Sequence, residues 1–482
     1  MLNKRIISST TELKRTVKTS WQSRLFENVN PPALTKEILE KFRTSFNSDP
    51  KNILAQNACS RFDPLQICLS RKRLQENEHV FKYKIESEGK PITNQKSSGR
   101  CWLFAALNVM RIPFMKAFNL DEFEFSQGYL FFWDKIERCN FFLNTFADAL
   151  KRNESVEGRL ITFLLKDLIG DGGQWDMLVN IVNKYGVVPK CKFPESFSCE
   201  SSQRMNQILK SKLREYAKHI AELIDNGGTD KDVESLIQEQ MSTIFRIVGI
   251  CLGIPEETFT WTYYDKSKTF HSIGPITPKE FYEVHVKPLF DVNDKVCLVT
   301  DPRVTNKYGK LYTVDCLGNM VNGRKCIYNN QPVELLIKLS AESIKKGVPV
   351  WFGCEVFKRY ASKPGMEDLQ AHDFSVVFGT DIQVTMSKGD RLLYNESAMT
   401  HAMVFTGVDT DENEEVTKFR VENSWGDDKG DKGYLVMTAE WFKEFGFEVV
   451  VDKKFVPQDV LNVFNQDPIV LPAWDPMGTL AL

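Results

Sequence analysis

The sequence is poor in the features that most directly assign a protein. Eleven cysteines are present, yet there is no CxxC pair and no cysteine–histidine cluster at zinc-ligand spacing. No metal and no cofactor is therefore expected. There is no uncharged apolar run of about 18 residues, which excludes a membrane-spanning helix. Residues 1–30 lack the apolar core of a secretory signal. Charge of neither sign dominates: 62 Lys+Arg face 64 Asp+Glu, a formal net charge of −2, so no global pull toward nucleic acid or anionic membrane exists. Internal repeats and low-complexity tracts are also missing. An odd number of thinly spread cysteines argues against a disulfide framework and for reduced thiols in an intracellular enzyme. At 42% hydrophobic and 12% aromatic residues, the 482-residue chain is ordinary globular material, which excludes wholesale disorder.

Residues 1–34 are Ser/Thr-rich and mildly basic up to Pro31-Pro32 and read as a flexible extension. A mitochondrial transit peptide is the alternative, against which Glu12 and Glu27 speak. Residues 35–46 predict a short helix. From Cys101 to about Leu120 the chain is apolar on nearly every face, the mark of a buried helix, which Pro113 is expected to kink or end. Leu209, Leu213, Tyr216, Ile220 and Leu223 recur at helical steps until Asn226-Gly227-Gly228, and Val233 to Phe245 repeat the pattern. From residue 346 the texture turns to short β-branched and aromatic runs separated by polar turns. The expected division is a helical lobe at 35–190, a mainly helical insertion and oligomerisation region at 191–345, an antiparallel β lobe at 346–470 and a tail at 471–482.

Chemistry concentrates in Gln95-Lys-Ser-Ser-Gly-Arg-Cys101-Trp102. A cysteine in the first turn of a buried helix meets the positive end of the helix dipole, which favours thiolate and lowers the pKa. Ser97 or Ser98 can cap that helix and Gly99 permits close backbone approach. Gln95 can present its amide beside the sulfur and, with the Cys101 N–H, hold an oxyanion. A thiolate needs an imidazole, and the imidazole needs a polar group to fix its ring. His401, opening one expected strand, and Asn423, ending the next, supply them, with Trp425 shielding the His–Asn bond from water. Arg71-Lys72-Arg73 and the Lys210/Lys212/Arg214/Lys218 set can make a local basic surface, but such runs are usually solvated faces.

Gln95, Cys101-Trp102, His401-Ala402 and Asn423-Ser-Trp-Gly426 together resemble the papain-like cysteine peptidases. The resemblance implies an α+β, two-lobed core with large helical insertions. It gives Asp171-Gly172-Gly173 as the glycine pair whose backbone binds substrate, and it places Trp425 in the cleft. Two departures narrow the choice. The family's disulfide cysteines are replaced by Ser98 and Gly170, as expected of a cytosolic member. His401 follows Cys101 by 300 residues, against roughly 130–150 in the family. These features, with Glu396-Ser-Ala-Met-Thr-His-Ala402 and Leu471-Pro-Ala-Trp-Asp-Pro-Met-Gly478, resemble the family's cytosolic, self-compartmentalised aminopeptidase branch.

That likeness implies a homohexamer without membrane attachment, acting on peptides with broad specificity and on the amide of bleomycin-like compounds. It also implies that the C-terminal tail lies in the cleft, where self-trimming of Leu482 would leave Ala481 beside the substrate's ammonium. An endopeptidase of the same fold, or a nucleic-acid-binding scaffold, is the alternative expectation.

Overall fold

The computed structural model describes residues 33–480 except Asn77 and Ser87. The expectations placed on residues 1–32, on Ala481 and on Leu482 lie outside the described residues. The chain divides into two compact units, the first ending at Ile67 and the second beginning at Cys68. In the first, Thr35 caps the helix Lys36–Ser48 by accepting from the Ile38 N–H (3.3 Å), and Asp49 caps Pro50–Cys59, whose proline occupies the first turn.

The second unit combines a helical lobe and a strand lobe. Cys101–Ala117 is a helix buried around almost its whole circumference, as its all-round apolarity requires. Of the two expectations for Pro113, a kink or an end, the second does not hold: the helix runs four residues further to Ala117. Proline removes one backbone bond, but the flanking Ile112, Phe114 and Met115 are buried and hold the segment in place. Gln127–Lys151 follows, capped by Ser126 Oγ accepting from the Tyr129 N–H at 3.0 Å. The helices Gln203–Asp225 and Asp230–Leu252 pack on one another and on Gln127–Lys151, the second opened by a reciprocal Thr229/Asp232 capping box.

The strand lobe is built on a twelve-stranded sheet, whose central strands Lys295–Val299, Gly446–Asp452, Val350–Cys354, His401–Thr410, Val416–Glu422 and Tyr434–Thr438 pair antiparallel in that order. Every residue of Val350–Cys354 is buried, which explains why it reads as a continuous apolar run without alternation. The region 191–345 contributes strands as well as helices: Lys295–Val299, Lys310–Val314 and Tyr328–Asn330 extend the same sheet. The cysteine helix packs against the histidine strand. Because Val404 pairs with Glu422 in antiparallel register, the start of the histidine strand lies beside the end of the asparagine strand. The topology therefore delivers His401, Asn423 and the first turn of the cysteine helix to one place.

Candidate active site

His401 is 2% exposed and its Nε2 lies 2.9 Å from Asn423 Oδ1. An amide oxygen only accepts, so the proton sits on Nε2 and Nδ1 is left with its lone pair. Asn423 Oδ1 also accepts from the Ser424 N–H at 2.7 Å, which fixes the amide's orientation. The Trp425 indole covers the imidazole with ring centroids 4.6 Å apart, and Phe357 stacks on Trp425 with centroids 5.8 Å apart. The indole thus lies over the ring whose Nε2 makes the Asn423 bond.

Cys101 is fully buried, and the backbone of Cys101, Trp102 and Ala402 around its sulfur favours the charged form. The last of these places the thiol against the residue next to His401. The first two are the helix-start N–H groups expected to favour thiolate, but burial outweighs them and pushes the Cys101 thiol up to about 12. Burial likewise pulls His401 down to about 4, against the Asn423 bond. The expected lowering at sulfur is thus corrected: a lone charge on either group is disfavoured. Charge arises as a pair, when the proton moves from sulfur to imidazole and the two ions attract at low dielectric.

The capping expectation is also corrected. Arg100, not a serine, precedes the helix, and no side chain caps it. Ser98 Oγ instead donates to the Gln95 carbonyl (2.7 Å) and accepts from Arg100 Nε (2.9 Å). Gln95 is pinned at both ends of its amide: Nε2 donates to the Ser98 carbonyl at 2.6 Å, and Oε1 accepts from Ser424 Oγ at 2.7 Å. One Nε2 hydrogen stays available. The Gln95 N–H donates to the Ser424 carbonyl at 2.8 Å, lashing the loop before Cys101 to the loop after Asn423.

Gly172 and Gly173 are buried beside Trp102, whose indole Nε1 donates to the Asp171 carbonyl at 2.7 Å. A Cβ on Gly173 would lie 2.6 Å from that indole, so only glycine fits. The tail runs toward the same wall. Ile469–Leu471 pairs parallel with Lys310–Val314, Arg159 lies 4.0 Å over the Trp474 ring, and Asp475 forms two bonds to Arg303. Gln174, next to the glycine pair, donates through Nε2 to the Thr479 carbonyl at 2.9 Å. The sequence assigned no separate role to the side chains of Ser424, Asp171 and Gln174, and gave no sign of the buried Arg111–Glu422 pair. The first three adjoin motif residues, and that adjacency was the available signal.

The model of the Peptidase C1-like family matches residues 33–478. The chain belongs to the Peptidase C1-like family. Among curated relatives, bleomycin hydrolase of Mus musculus is 56% identical over 94% of this chain and 100% of its own length. Aminopeptidase C of Lactococcus lactis subsp. lactis is 38% identical over 93% of this chain and 100% of its own. The crystal structure of pepw from lactobacillus rhamnosis superposes with a TM-score of 0.89 at 36% identity, covering 93% of this chain and 99% of that one. The α+β, two-lobed C1-like fold is therefore that of the chain. Within this fold, position 170 keeps a structural task without a thiol: the Gly170 carbonyl accepts from Lys135 Nζ at 3.0 Å. All eleven cysteines are free.

Proposed function

We propose that the protein is a thiol aminopeptidase of broad side-chain tolerance that also hydrolyses the amide of bleomycin-like compounds. Cys101 attacks the first peptide carbonyl after passing its proton to His401 Nδ1. Asn423 holds the imidazole through Nε2, so the ring can return the proton to the leaving amine and then activate water. The free Nε2 hydrogen of Gln95 and the Cys101 N–H receive the developing oxyanion. Gly172 and Gly173 bind the substrate backbone and Trp425 borders the departing side.

The observation that carries the exopeptidase reading is the bond from Gln174 to Thr479. It supports a tail seated beside the glycine pair, leaving room for one residue ahead of the scissile bond. Deleting residues 478–482 is expected to shift cleavage of an N-acetylated peptide from nil to internal bonds while Cys101→Ser abolishes all activity. An unchanged cleavage pattern would instead favour an endopeptidase whose tail is irrelevant.

We further infer a cytoplasmic homohexamer, for which the free thiols and the relatives' similarity over nearly the whole chain are the support. Sedimentation showing only a 55.5 kDa species at micromolar concentration would refute the assembly. The sequence's basic segments favour no nucleic-acid role: Arg73 pairs with Asp368, Lys210 with Asp167, and Lys218 with Glu222.

A further inference from the structure

A cavity of about 660 Å³ opens at the far end of the cysteine helix, lined by Ile112, Pro113 and Lys116. Fifteen residues separate Lys116 from Cys101, roughly 22 Å along the helix axis. The lining carries an excess of one charge. Lys82 and Lys84 enter from the strand Tyr83–Lys84 and its approach, Lys345 and Lys346 from the end of the helix Val333–Lys345, and Lys295 and Lys454 from one end of the strand pair 295–299/446–452, where Lys295 lies opposite Asp452. With Lys116 these make seven ammonium groups, against two lining carboxylates, Glu86 and Asp452.

Neighbouring acids, among them Asp291 and Asp294 acting on Lys295, narrow the gap without closing it. Glu414 is shared between Lys82 (2.6 Å) and Lys345 (2.9 Å). Asp452 is likewise shared, contacting Lys295 and lying 3.1 Å from Lys454. Glu88 pairs with Lys84 and also reaches Arg420 at 2.9 Å. Lys116 and Lys346 form no ion pair among the described residues. Ammonium groups gathered around one concavity repel each other, and an enclosed wall of low polarisability strengthens that repulsion. A ligand with closely spaced negative charges relieves it.

We propose that this cavity binds a small polyanion carrying two or more phosphoryl groups, of about nucleotide size. Its volume falls within the ordinary range for small-molecule sites. A concave hollow, with its lysines converging from five segments, suits a compact ligand better than the long track of a nucleic-acid backbone. The lysines present point charges that satisfy phosphoryl oxygens without demanding one orientation. The site is separate from the cysteine, and occupancy is expected to stabilise the fold without altering basal peptidase turnover.

The test is titration of inorganic tripolyphosphate into the full chain at near-physiological salt, followed by calorimetry and thermal unfolding. Saturable binding with a raised unfolding midpoint is expected. The double variant Lys116→Ala/Lys346→Ala, which breaks no ion pair of the described residues, should weaken binding about tenfold or more while its peptidase kinetics stay those of wild type. Lys454→Ala provides a second variant should that one unfold early. Absence of binding by the wild type overturns the proposal, as does binding that neither variant weakens. Preference for a duplex oligonucleotide over tripolyphosphate, lost in the same variants, would also overturn it and make the cavity part of a nucleic-acid surface.

Discussion

Replacing Glu422 by Gln removes one charge from a pair that joins the cysteine helix to the asparagine strand. Arg111 Nη2 lies 2.7 Å from Glu422 Oε1, and both side chains are 1% exposed. The guanidinium cannot swing to water, because Nη1 also donates to the carbonyls of Pro91 (2.8 Å) and Phe123 (3.3 Å). Gly89 closes the remaining side so tightly that a Cβ there would lie 2.6 Å from Arg111 Nε. Burial raises the Glu422 carboxyl above its usual range, against the pull of Arg111. Breaking such a buried pair from one side costs about 3–5 kcal/mol, because the surviving charge is left uncompensated. Removing both charges, as in Arg111→Met/Glu422→Leu, should cost far less than the two single changes together.

Equilibrium urea unfolding of the wild type, Arg111→Met, Glu422→Leu and their double variant gives the coupling directly, with Glu422→Gln measured beside them. Because Asn423 follows Glu422, Glu422→Gln should also loosen the hold on His401 and lower kcat more than it changes KM. A Glu422→Gln protein within about 1 kcal/mol of wild type, or a double variant as unstable as the sum of the singles, would refute the reasoning.

Three further outcomes are expected. Gly173→Ala forces the Trp102 indole away from the Asp171 carbonyl and should destabilise by about 1–3 kcal/mol, with a fall in kcat/KM, read by thermal unfolding and steady-state kinetics. Asn423→Ala leaves His401 Nε2 without its acceptor, at about 1–3 kcal/mol, so amide hydrolysis should drop at least tenfold while the circular dichroism spectrum is retained. Burial pushes the Glu448 carboxyl up to about 8, from an ordinary 4.5, beneath the tail residues Pro476 and Met477. The folded chain therefore holds a proton that the unfolded chain releases, and stability declines as pH rises between those values, by about 3 kcal/mol at pH 7. Glu448→Gln should match wild type near pH 4 and exceed it at pH 7 in urea midpoint; parallel pH profiles would exclude this assignment.

The candidate site was legible because its chemistry is written in short, rigid stretches. An all-round apolar segment behind Cys101 could only be a buried helix, and two β-branched runs close in sequence pair antiparallel, bringing His401 to Asn423. What stayed hidden depends on distant partners. Tyr328–Asn330 is a buried strand inside the region expected to be mainly helical. Its asparagines are stable there only because Asn329 bonds the Val460 carbonyl and Asn330 those of Asp301 and Asn306. Pro113 stays helical through packing from other segments, and the Arg111–Glu422 pair joins residues 311 apart.

Asp171 gives the inserted helices a meaning beyond assembly. Its carboxylate accepts from the Gly99 N–H before the cysteine, pairs with Lys135, and bonds both Ser202 and Asn206 at the start of the insertion. These partners hold its acidity well above that of an ordinary aspartate, with the carboxyl far below its usual range despite burial. The glycine wall, the approach to the thiol and the first inserted helix thus share one anchor. The insertion is a keystone of the cleft rather than an appendage, and an engineer who trims it to reach a minimal peptidase would unmoor the wall against which substrate must lie.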